Sequence, residues 1–166
     1  MTDKVFVAVL MGSDSDLPVM QATMDVLKAL DIAYEVRITS AHRTPADTRD
    51  YVEAADTRGC AVFIAAAGMA AHLAGAVAAH TLKPVIGVPI DSGPLQGFDA
   101  LLSTAQMPGG IPVASVAIGK AGAKNAGYLA AQILGVADAE LHQRLIEERA
   151  AAAQAVREKN EQLNLG

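Results

Sequence analysis

The feature that most constrains this chain is a set of short apolar runs that do not alternate with polar residues. Residues 5–11 read VFVAVLM, 61–66 AVFIAA and 85–88 VIGV, with further runs at 33–38 and 113–118. A strand with one wet face alternates, whereas a run that is apolar throughout is buried on both faces, as in a parallel sheet covered by helices. Stretches of helical character separate the runs, at 17–30, 45–57, 71–81 and 121–134. Strand and helix in alternation predict a doubly wound α/β sandwich. At 166 residues one core suffices, so a single domain over 1–166 is expected, without linker or internal repeat.

Charge and cysteine content exclude several classes. Thirteen Lys and Arg against 18 Asp and Glu leave a net charge of -5, the wrong balance for a nucleic-acid binder that relies on a basic face. A local cluster can still hold one phosphate. Cys60 is the single cysteine, so no intrachain disulfide forms, and within GCAVFIAAAG it reads as a buried small hydrophobe. The first apolar run is too short to span a membrane and lacks a cleavage signature. A cytoplasmic protein with no membrane partner is the expectation. No two histidines have zinc-motif spacing and no acidic cluster suits magnesium, so no metal is expected.

The unusual polar residues fall after the strands, where ligands bind in open α/β sheets. After the first comes Gly12-Ser13-Asp14-Ser15-Asp16. Glycine, hydroxyls and a following helix N-terminus make a phosphate cradle, with Asp16 either a ribose acceptor or only the helix N-cap. After the second comes Ser40-Ala41-His42-Arg43-Thr44-Pro45. Thr44 with Asp47 fits an acidic capping box and Pro45 the first helical position, which leaves Arg43 free to meet an anion. His42 beside it titrates near neutrality and can take and return a proton, unless it is an ordinary exposed loop histidine. After the third, Ala67-Gly68-Met69-Ala70-Ala71-His72-Leu73 offers close approach to the main chain; His72 is either part of that pocket or a helix-start residue satisfied by the backbone. The stretch 89–112 is too long to be an idle loop and has room for a short helix.

Familiar cofactor sites do not fit these loops. GSDSDL lacks the G-x-G-x-x-G of a dinucleotide turn, the crevice loops carry no aromatic except Phe98, and the third strand ends without an acceptor aspartate. What remains is a site for a small phosphorylated molecule, without metal or cofactor, in which histidine is the good proton carrier. The C-terminal stretch differs again. Leu141, Leu145, Ala152, Val156 and Leu163 form a stripe at steps of four and seven, narrow for a core-facing helix. A helix over 138–163 packing on a neighbouring subunit is the favoured reading, against one folded back on its own domain.

The motifs MGSDSD, SAHRTP, AGMAAHLAG, QMPGGIPVA and AIGKAGAKNAGYLAAQIL, in that order, resemble the class I PurE family, the N5-carboxyaminoimidazole ribonucleotide mutases of purine biosynthesis. The resemblance runs from Val5 to the C-terminal helix. It implies a flavodoxin-like three-layer α/β/α sandwich, a homo-octamer, no cofactor, and a ribonucleotide substrate whose carboxyl group moves from nitrogen to ring carbon. It assigns catalysis to His42, phosphate and ribose contacts to Gly12, Ser13, Asp16, Ser40 and Arg43, and the carboxyl pocket to Gly68, Ala70, Ala71, His72 and Leu73. Two alternatives stand beside it: a carboxylase using free carbon dioxide, and a non-catalytic module that binds a phosphoribosyl nucleotide. The chain departs from the family pattern at Met69, where Gly is frequent, at Ala74 for Pro, at Asp91 for Gln and at Ala100 for Ser. These departures touch the carboxyl pocket and loop stiffness, not His42.

Overall fold

In the computed structural model, which describes residues 5–163, five parallel strands form one sheet in the order β2-β1-β3-β4-β5. The strands are β1 (Phe6–Met11), β2 (Tyr34–Ile38), β3 (Cys60–Gly68), β4 (Val85–Ile90) and β5 (Ala114–Ser115). The helices are α1 (Leu17–Ala29), α2 (Pro45–Thr57), α3 (Leu73–Ala78), α4 (Phe98–Ala105), α5 (Gly119–Gly135) and α6 (Ala139–Leu163). This strand order is the flavodoxin-like one, and the expected sandwich is borne out.

The non-alternating runs explain the layers. Every residue of β1 and of β4 is buried. Val7, Val9 and Met11 point into a core shared with α1 and α5, through Met20, Leu27, Ala126 and Ala130. Phe6, Ala8 and Leu10 point the other way, onto Val52 and Ala55 of α2 and Leu73 and Val77 of α3. Small residues let α5 approach α1 closely: a Cβ on Gly127 would lie 2.9 Å from Val26 Cβ, and Thr23 Oγ1 donates to the Ala123 carbonyl at 2.6 Å.

Two elements, β5 and α3, differ from the sequence expectation, whereas the 89–112 stretch does contain a short helix. β5 is only two residues long, pairing Ile86 with Ala114 and Gly87 with Ser115, because Pro112 and the glycines before it feed the chain into the sheet edge late. α3 begins at Leu73, not at 71, because Ala71 and His72 donate their N–H groups two residues back, to Met69 and Ala70, both at 2.8 Å. The 89–112 stretch contains α4, whose Thr104 occupies the space a side chain on Gly87 would need. Among the described residues no helix is long and apolar enough to cross a membrane.

Candidate active site

The turn after β1 is a short 3-10 turn at Asp14–Asp16, closed reciprocally. Ser15 N–H donates to Ser13 Oγ at 3.3 Å, and Ser13 N–H donates to Asp16 Oδ2 at 3.2 Å. Asp16 precedes α1 without capping it through its side chain. Its carboxyl turns back into the cleft, only 6% exposed. Burial pushes the Asp16 pKa up, and the N–H groups of Ser13 and Gly12 oppose that shift.

The turn after β2 is tied at both ends. Thr39 N–H donates to the Met11 carbonyl at 3.0 Å, and Thr39 and Thr48 share a buried hydroxyl bond of 2.7 Å. Ser40 Oγ accepts from Arg43 N–H at 3.1 Å, while Thr44 Oγ1 accepts from Ser40 N–H at 3.0 Å. The predicted capping box of Thr44 with Asp47 is therefore not made: Thr44 stands at the N-cap, but no side-chain cap bond forms there. Its hydroxyl serves the preceding turn instead. Pro45 does open α2. His42 and Arg43 are exposed at the tip of this turn, and none of the ion pairs among the described residues uses Arg43.

The turn after β3 is built by close approach. A Cβ on Gly68 would fall 1.8 Å from Ser92 Oγ, so only glycine lets the loops after β3 and β4 meet there. Ala71 is 2% exposed, and its N–H reaches Ser103 Oγ of α4 at 3.1 Å. The N–H groups of Met69 and Ala70 make no hydrogen bond among the described residues. His72 reaches across to the second turn: its Nδ1 lies 2.6 Å from His42 Nε2, with the two rings nearly perpendicular and their centroids 4.8 Å apart. Such a bond holds one proton between two ring nitrogens, so it fixes the orientation of both imidazoles and couples their tautomers.

These turns line one cleft of about 290 Å³ at the carboxyl ends of β1, β2 and β3. Gly12, Ser13, Asp16, Ser40, His42, Arg43, Gly68, Ala70, His72 and Leu73 all border it. Of the predicted site residues, Ala71 alone stands behind the wall. Ser15, Ala41, Ala67, Met69 and Ser92 join the lining though none was assigned as a site residue, and of these the sequence reads Met69 as touching the carboxyl pocket. A second cavity of about 500 Å³ shares the wall of Ala41, His42 and His72 and continues along Gly75, Ser103, Gln106 and Met107. Ser103, Gln106 and Met107 were not among the predicted site residues, although all three lie in the 89–112 stretch and Gln106 and Met107 open the QMPGGIPVA motif.

A parallel sheet of this order with a polar cleft at its switch point defines an α/β protein of the flavodoxin-like class, with the cleft where such sheets take their ligands. The AIR carboxylase family model matches residues 6–155, and the chain belongs to that family. It is 52% identical over 157 residues to the N5-carboxyaminoimidazole ribonucleotide mutase of Bacillus subtilis, covering 95% of this chain and 97% of that one. It is 51% identical over 152 residues to the mutase of the same name from Escherichia coli K12, covering 92% and 90%. The crystal structure of Treponema denticola PurE superposes with a TM-score of 0.87 at 30% identity, over 96% of this chain and 99% of that one. The family resemblance read from the motifs is borne out.

Proposed function

We propose that this chain interconverts N5-carboxyaminoimidazole ribonucleotide and 4-carboxy-5-aminoimidazole ribonucleotide, with His42 as the proton carrier. The observation that carries this reading is the convergence of His42 and Arg43, from one rigid turn, on a cleft already bordered by Ser13, Asp16 and the Gly68–His72 loop. Relatives about half identical over nearly the whole chain carry that activity in their names.

The residues divide the work by chemistry. Arg43 and the hydroxyls of Ser13 and Ser40 suit the phosphate, the first through a bidentate charged pair. Asp16 suits ribose hydroxyls as an acceptor. The reaction breaks the bond between the exocyclic nitrogen and the carboxyl carbon, and the electron pair returns to nitrogen. His42 as imidazolium gives that nitrogen its proton, and carbon dioxide is freed. The ring carbon then attacks carbon dioxide, and its proton passes to His42, which regains its starting state. One histidine thus serves as acid and then base. His72 holds the His42 ring at the required angle, and the N–H groups of Met69 and Ala70 offer a place for the carboxyl oxygens.

The charged phosphate of such a substrate does not cross a bilayer unaided, which fits a cytoplasmic enzyme. A homo-octamer in which α6 reaches a neighbouring subunit completes the reading. A second reading has one observation in its favour: the family's description names a carboxylase, an enzyme that would take free carbon dioxide. The test of the first reading is isomer interconversion followed by absorbance, for the unaltered chain and for His42→Asn. Removing the proton carrier is expected to lower turnover by about 100-fold or more. Normal turnover by His42→Asn would remove His42 from the mechanism, and tight ligand retention without turnover by the unaltered chain would make this a binding module.

A further inference from the structure

Met69 occupies a position that its own preferences do not explain. It follows β3 directly, with φ at +53°, a region where a side chain crowds the backbone and glycine is at home. Its side chain is not held there by burial, since the residue is 55% exposed. The side chain lies instead beside the loop that follows β4. Its Cγ, Sδ and Cε lie 3.4, 3.8 and 3.9 Å from the place a Cβ would take on Gly93, in the loop after β4. Gly93 has φ +76° and no side chain of its own, which leaves room for the thioether to lie against it. Met69 also borders the cleft that His42 and Gly68 border.

We propose that Met69 is a positioning residue that straps the loop after β3 to the loop after β4 and retains carbon dioxide in the cleft between bond breaking and bond making. The inference rests on the isomerisation proposed above. Carbon dioxide is small and uncharged once the nitrogen–carbon bond has broken, so no salt bridge holds it and only closed walls keep it near the ring carbon. Its loss leaves the protonated amine and an unsubstituted ring carbon, the decarboxylated ribonucleotide. A flexible, polarisable thioether is suited to closing an irregular gap between two loops. The left-handed backbone at Met69 sets the direction of that side chain toward the loop after β4.

The test uses the full chain and two substitutions, Met69→Gly and Met69→Ala. Both remove the strap, but only glycine also relieves the backbone. The readout is the share of consumed substrate that ends as decarboxylated ribonucleotide, above the enzyme-free background. Both variants are expected to raise that share several-fold, and Met69→Gly to melt above Met69→Ala. An unchanged share in both variants, with interconversion intact, would overturn the strap. A Met69→Ala protein melting above Met69→Gly would contradict the strain that aims it. An unaltered chain that forms no isomer would overturn the functional reading and the strap with it, and the two failures are therefore told apart.

Discussion

Asp16 sits in a turn whose Ser13 N–H donates to its carboxylate, yet burial still moves its pKa upward. The sign follows from which form the fold disfavours. An acid with a raised folded pKa takes up a proton more readily in the folded chain than in the unfolded one. Its contribution to stability is therefore best at low pH and declines as pH rises through the folded value. Asp16→Asn keeps the shape and removes the charge, so the melting temperature at neutral pH should stay level or rise. Substrate binding should weaken, with KM up about tenfold, the scale of one charged hydrogen bond. Thermal melts beside steady-state kinetics check both halves, and a lower melting temperature with unchanged KM would mean that Asp16 serves the turn alone. At this scale legibility depended on local punctuation. His42 and Arg43 were readable because Pro45 fixes the helix start just after them. The His42–His72 bond was not, because it joins residues 30 apart in sequence, and neither was Ser103, 32 residues from the Ala71 N–H it accepts.

Among the elements, α6 departs most from what its apolar stripe implies. Its apolar stripe is divided. Leu141 is 2% exposed and belongs to the core beneath α1 and α5, and Leu145 packs against the same cluster. Arg144 Nε donates to the Leu30 carbonyl at 3.1 Å, and Tyr128 donates its hydroxyl to Glu148; burial, and after it this bond, pushes the tyrosine up to about 12. Beyond those turns the stripe has no partner among the described residues: Val156 is 67% and Leu163 81% exposed. Period alone could not separate a docked half from a free half, because both halves repeat at steps of four and seven. Truncation after Arg149 keeps the docked turns and removes the free ones. The octamer reading predicts a lower assembly mass by light scattering, with the melting transition of the domain retained. An unchanged mass would show that the free half joins no neighbour. The short β5 and α3 were overread for a related reason: local apolar character extended past the points where proline, glycine and tight turns end the regular backbone.

For the whole molecule, the order of layers was legible because both faces of the central strands are covered, and continuous apolar runs report that directly. The place of the cleft followed from the sheet, since the carboxyl ends of β1, β2 and β3 bring together turns separated by the helices between them. Its far wall did not follow, because α4 and the loop after β4 reach it only through packing at Gly68 and Gly87. The proposed activity calls on all of these parts together: a place for the phosphate, an oriented imidazole and room for a freed carboxyl group. Incubating the unaltered chain with N5-carboxyaminoimidazole ribonucleotide labelled with carbon-13 in its carboxyl group, in unlabelled bicarbonate, tests that combination most directly. The account predicts a product that keeps most of the label on the new ring-carbon carboxyl group. A product carrying carbon from the bicarbonate instead, or no product at all, would contradict it.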